Sequence, residues 1–181
     1  MMRLGKIQLC VFCSVLLAAL SLPSFPVMTT LAQSDKSFER ERERAYNKQL
    51  FKKTFHDIQI LGQELLKDHE AGLVTAGRLA KDTKAINKCA KTLRSLTVLG
   101  TVIQPKAINK EIATPSQYDQ AIRSLAKHIW DFAHNPVLQN NKVFNTDQAQ
   151  QAQTDLEAIM NLSKIIENKA KGYVPTVTST R

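Results

Sequence analysis

Three features of the sequence predict an all-helical fold. Apolar residues return at three- and four-residue steps in four separate stretches. Six Gly and six Pro in 181 residues are too few for the many tight turns of an all-β sandwich. No Gly-rich loop of the kind that cradles phosphates is present. The length favours one compact domain, and 43% hydrophobic with 23% charged residues lies near the globular average, which argues against wholesale disorder. The expectation is an antiparallel four-helix bundle over residues 33–172, preceded by a signal peptide and followed by a loose tail.

Residues 1–32 read as a secretory signal. Arg3 and Lys6 precede an apolar run from Ile7 to Leu22, Pro23 and Pro26 break it, and the small residues before Ala32 suit cleavage there. An uncleaved anchor is the alternative, because the run falls just short of the roughly 20 apolar residues that span a bilayer. Cys13 follows the bulky Phe12 and Cys10 lies too near the start, so neither suits lipid attachment. Removing Arg3 and Lys6 lowers the net charge from +9 to +7. It also leaves Cys89 as the lone cysteine, so no internal disulfide is expected, and the C-x-x-C of Cys10 and Cys13 is not read as a redox motif. Cys89 lies among apolar helical positions, where burial as a small hydrophobe is the simplest role.

The first helix is expected over about 36–69. Tyr46, Leu50, Phe51, Phe55, Ile58, Leu61, Leu65 and Leu66 share one side of it. At its start, Glu39 to Arg44 alternate in sign, which gives opposite charges at i,i+3 but like charges at i,i+4, so this end is expected to project as a solvated arm. Gly72 closes the helix and a short turn leads to the second, about 75–99, with Leu79, Ile86, Cys89, Ala90, Leu93 and Leu96 inward. From Gly100 to Thr114 the pattern is broken by Pro105 and Pro115, the longest internal gap, with a short helical turn expected at 107–112. Lys106 to Lys110 repeats Lys84 to Lys88 as a local coincidence.

Thr114 and Pro115 open the third helix, about 115–134, which Asn135 and Pro136 stop. Tyr118, Ile122, Leu125, Ile129, Phe132 and Ala133 form its apolar side. In the linker beyond, Val137, Leu138, Val143 and Phe144 are available to tuck against the bundle. Asn145 to Gln148 has the pattern of a capping box and starts the fourth helix, about 146–171. Its stripe of Ala149, Ala152, Leu156, Ile159, Ser163, Ile166 and Ala170 is the cleanest in the chain. Tyr173 to Arg181 lack helical periodicity and are expected to form a flexible tail.

The chemistry-bearing residues form no familiar site. Di-iron bundles require Glu-x-x-His pairs, and the nearest approach here is Asp131-x-x-His134. His56, His69, His128 and His134 belong to no zinc or haem motif, and no nucleophile elbow is found. The expectation is therefore no catalytic residue, no metal, no cofactor and no enzyme. Trp130, with His134 one turn on, could flank a pocket, but a lone Trp in a bundle is more simply a packing wedge.

The second helix is asymmetric. Lys81, Lys84, Lys88 and Lys91 fall within about 80° of one another on a helical wheel, opposite Leu79, Ile86, Ala90 and Leu93. This stripe is the candidate anion-binding site, facing anionic lipid or acidic glycan, and Lys48, Lys52 and Lys53 could widen its field. No aromatic residues interleave with the lysines to stack bases, so nucleic acid is not expected as a partner. The simpler reading is that these lysines keep the domain soluble.

The stretch from Leu65 to His69 and from Lys81 to Leu96 resembles a segment of small secreted helical proteins of soil bacteria, of the acidobacterial type. That resemblance implies export and helix and carries over no site residue. Together these features lead to the expectation of an exported, non-enzymatic bundle acting through an unidentified protein partner in the periplasm or cell envelope. Binding of anionic lipid or acidic glycan through the lysine stripe is the first alternative, and an enzyme or cofactor carrier with an unrecognised site is the second.

Overall fold

A computed structural model of the chain describes residues 28–97, 112–139 and 145–174, with side chains from residue 36 onward. Most of the expected signal, the expected turn at 107–112 except Ile112, the second copy of the Lys-Ala-Ile-Asn-Lys string, Val143 and Phe144, and residues 175–181 lie outside that range. The described residues are all helix and connecting turns, without strand: a multi-helix bundle. The helices are α1 (Met28–Glu70), α2 (Ala76–Leu96), α3 (Pro115–Ala133), the short α4 (Pro136–Gln139) and α5 (Thr146–Lys169), which ends in a 3-10 turn at Ala170–Gly172. None of them is long and apolar enough to cross a membrane.

The chain divides into two compact units between Arg44 and Ala45. Of the first, the structure describes the opening of α1, where Phe38 is exposed beneath the Arg42 guanidinium, 5.8 Å from its ring centre. The second unit holds the core, and everything below concerns it.

Local chemistry sets the ends of the helices. Gly72, with φ 66°, lets Leu73 N–H reach the Asp68 carbonyl at 2.9 Å and Gly72 N–H reach that of His69 at 3.0 Å, which closes α1. Thr75 Oγ1 accepts from Arg78 N–H at 3.2 Å to open α2. Thr114 and Gln117 exchange side-chain and backbone hydrogen bonds as a full capping box ahead of Pro115. Asn145 Oδ1 accepts from Asp147 and Gln148 N–H at 2.9 and 3.4 Å.

The linker after α3 was expected without helix. Instead α4 forms, because Pro136 supplies a preset helical φ and Asn135 caps it through Oδ1 to Val137 N–H at 3.0 Å. Leu138 packs partly against the core.

The apolar stripes of α3 and α5 are buried at every position the periodicity names. In α2, Thr83 and Asn87 join Leu79, Ile86, Ala90 and Leu93 inside, while Cys89 and Leu96 are half-buried. Thr83 satisfies its hydroxyl on the Leu79 carbonyl at 2.7 Å. Asn87 donates to the Met160 carbonyl at 2.7 Å and to Ser163 Oγ at 2.9 Å. Two expectations are corrected. Tyr46 is 64% exposed, since it stands two turns ahead of Thr54, the first buried position among the described side chains of α1. Tyr173, placed in a loose tail by its lack of periodicity, is buried against Tyr118 with ring centres 5.4 Å apart.

Cross-helix pairs fix which helices meet. Phe55 packs on Phe132, and a Cβ on Gly62 would lie 2.9 Å from Ile129 Cδ1, so α1 and α3 approach closely there. Arg94 pairs with Glu157 at 3.1 Å, which with the Asn87 bonds places α2 along α5. His128 meets Asp155 at 2.9 Å and the Tyr118 hydroxyl donates to the Lys169 carbonyl, which places α3 along α5. Arg78 pairs with Asp68 across the α1–α2 turn.

Candidate functional site

Trp130 follows Ile129 on α3 and so sits just outside the buried stripe. Its indole is 57% exposed, which corrects the packing-wedge expectation. One turn on, His134 stacks against it with ring centres 3.7 Å apart and an interplanar angle of 27°. Because a carbonyl can only accept, His134 Nδ1 carries a proton donated to the Trp130 carbonyl at 2.9 Å, and this ties the imidazole in place. The pair walls a mostly apolar groove of about 320 Å³ between α1 and α3, whose floor is Gly62, Leu66, Ala126, Ile129 and Ala133. Gly62 keeps this floor low, since it has no side chain to fill it. The cations at its edge are already engaged: Arg123 with Glu70 and Asp119 at 2.8 and 2.9 Å, and Lys127 with Asp131.

Lys81, Lys84, Lys88 and Lys91 are all exposed, as the helical wheel expects. The structure adds a fifth cation. Lys164 of α5 faces them across an open groove of about 550 Å³, in which Glu167 is the acid and is held by Lys164 at 3.1 Å. None of the four α2 lysines has an ion-pair partner among the described residues. Sequence reasoning missed Lys164 because its contribution depends on the pairing of α2 with α5. The buried Asn87 and Ser163 were the available signal for that pairing.

The histidines are more deeply engaged than their sequence context suggested. His69 is buried at the end of α1, with Nε2 2.9 Å from Asp119 Oδ1 and Nδ1 3.1 Å from the Tyr173 hydroxyl. A carboxylate acceptor fixes a proton on Nε2, and Nδ1 faces the Tyr173 hydroxyl. The hydrogen bond from His69 holds the Asp119 carboxyl below its ordinary range, and Arg123 adds to the effect. Burial raises the hydroxyls of Tyr118 and Tyr173, so both stay protonated as donors.

A pH dependence follows. A carboxyl depressed in the folded state contributes stability that is present above its unfolded value, near 4, and is lost as pH falls through the folded value. Asp119 is 43% exposed, so the contribution is screened to roughly 1 kcal/mol or less. Asp119→Asn is expected to melt a few degrees below the parent at pH 7, and the gap to narrow as pH falls below about 4. An unchanged gap across that range would contradict the assignment.

His128, Asp131 and Asp155 bring three potential ligand atoms within 4.8 Å of one another, a grouping the sequence gave no reason to expect. His134, three residues after Asp131, is turned to Trp130 instead. Each member of the cluster already has a partner: Asp155 faces His128 and accepts from Gln151 Nε2 at 3.1 Å, and Lys127 holds Asp131. A cation there would have to displace Lys127 and the proton shared by His128 and Asp155. The Cys89 thiol is pushed up by burial and by Asp57, which disfavours the reactive thiolate.

The chain matches no family model, no curated protein and no solved structure, so the two grooves stand on their own geometry.

Proposed function

We propose that this chain is an exported, non-enzymatic helical-bundle protein that acts through protein contacts in the periplasm or cell envelope. Export is supported by the composition of residues 1–32, and the non-enzymatic character by the lack of a catalytic motif in the sequence. The cross-helix pairs support an antiparallel four-helix arrangement in the cyclic order α1, α2, α5, α3, with α4 a single turn between α3 and α5. On that arrangement α2 and α3 are diagonal and parallel, which accounts for the long connection between them. The Trp130 groove and the lysine groove then lie on opposite sides.

The observation that carries the reading is the exposed Trp130. Interfaces draw most of their affinity from a few aromatic or Arg anchors, and an indole already oriented by a stacked imidazole loses little freedom on binding. The apolar floor between two helices suits an amphipathic segment that lays an aliphatic side chain over Gly62. A photo-crosslinking residue at the exposed Gln63, at the edge of the groove, is expected to trap one envelope protein in cells exporting the protein. The same residue at the exposed Lys52 is expected to trap none. Adding Trp130→Ala to the Gln63 variant is expected to abolish the adduct. Equal labelling at positions 63 and 52, no adduct at either, or an adduct that survives Trp130→Ala would overturn the reading.

A further inference from the structure

We infer that the groove between α2 and α5 binds a linear acidic polysaccharide along its length. This stands apart from the Trp130 groove and shares no residue with it. Lys81, Lys84, Lys88 and Lys91 climb α2 in steps of about 4.5, 6 and 4.5 Å, a row of roughly 15 Å at 1.5 Å per residue. These axial steps are shorter than the screening length of about 8 Å in physiological salt, so the row presents an approaching anion with one continuous positive field. No carboxylate relieves the row among the described residues, because the acid in the groove, Glu167, is taken by Lys164. Lys164 stands on the opposite bank in its pair with Glu167, so the four unpaired cations all line the α2 side of the trough.

Shape and lining select the ligand class. A single phosphate or sulfate could touch only part of a row this long, whereas a sugar chain with a carboxylate on every one or two residues spaces its charges along it. A bilayer surface is flat, and among the described residues of the second unit the exposed large apolar side chains, Tyr46, Ile60, Leu73, Trp130 and Val174, do not line this groove, so no described side chain in it would insert into lipid. Its side-chain amide is no substitute for charge recognition: Asn87 is spent on Met160 and Ser163. Recognition would therefore be carried by the ammonium groups and weaken steeply with salt.

The test is titration of the full chain with polygalacturonate, with neutral dextran, inorganic phosphate and phosphatidylglycerol vesicles as parallel probes. Polygalacturonate is expected to bind at low salt and to be released as salt rises. The variant Lys84→Glu/Lys88→Glu/Lys164→Glu is expected to bind at least about tenfold more weakly. A control with the same charge change at exposed positions outside the groove, Lys36→Glu/Lys67→Glu/Lys171→Glu, should stay within about threefold of the parent. The neutral triple Lys84→Gln/Lys88→Gln/Lys164→Gln serves if charge reversal disturbs folding, which circular dichroism reports. Four results would each overturn the inference: no binding of polygalacturonate at low salt, equal loss in groove and control variants, preferential binding of vesicles, or full competition by inorganic phosphate at equal charge.

Discussion

Ile159→Asp is expected to abolish the cooperative thermal transition of the domain. Ile159 is fully buried on α5, where helices α2 and α3 both pack. The change removes a buried aliphatic side chain, worth roughly 2 kcal/mol or more, and leaves a carboxylate without a partner in its place. Together these reach about 5 kcal/mol or more, comparable to the whole stability of an ordinary domain. Leu93→Asp on α2, also fully buried, should behave alike. Lys84→Glu, on an exposed position, should leave the circular dichroism spectrum and melting curve unchanged. Aspartate variants that melt with the parent would show that these stripes do not form the core.

Tyr173→Ala is expected to destabilise the domain by about 3 kcal/mol, the second largest effect among these predictions. The side chain lies under 10% exposed, edge-on to Tyr118, with its hydroxyl on His69. Tyr173→Phe keeps the ring and removes only the hydroxyl, so about 1 kcal/mol is expected from the orphaned His69 nitrogen. Urea denaturation of the two variants separates ring packing from the hydrogen bond. If alanine and phenylalanine prove equally harmless, Tyr173 belongs to a free tail after all.

How far the sequence could be read follows from where each partner lies. The stripes of α3 and α5 were legible position by position, because a buried helix face repeats with the period of the helix itself and needs no knowledge of its neighbours. Trp130 was not, because it sits one residue beyond Ile129, at the margin where a stripe about 100° wide ends, and only the spacing of α1 from α3 decides on which side it falls. Tyr173 was missed for a different reason: a residue after the last helix has no period to betray it, and its burial depends on His69 and Tyr118 from two other helices.

Polar residues divide in the same way. The four lysines of α2 could be placed on one face from spacing alone, but Lys164 and the groove required the pairing with α5. Asp155 and Asn87 are buried polar groups, each with a hydrogen-bond partner on another helix that its own sequence neighbourhood does not reveal. Composition and periodicity thus reached the helices and their inner faces, while the features of both grooves arise from contacts between helices.

The Asn87 amide has a final consequence for the axial alignment of α2 against α5. Two smooth apolar ridges with alanines between them can slide by a helical turn, about 5.4 Å, at little expense in contact. Sliding by one turn toward the α5 N-terminus would carry the amide from Ser163 Oγ to the level of Ile159, whose side chain cannot accept, and leave it a main-chain carbonyl alone. Losing that buried hydrogen bond, about 1 kcal/mol, disfavours the offset. Asn87 therefore acts as a detent against that slide, and with it favours the alignment of Lys164 opposite its row.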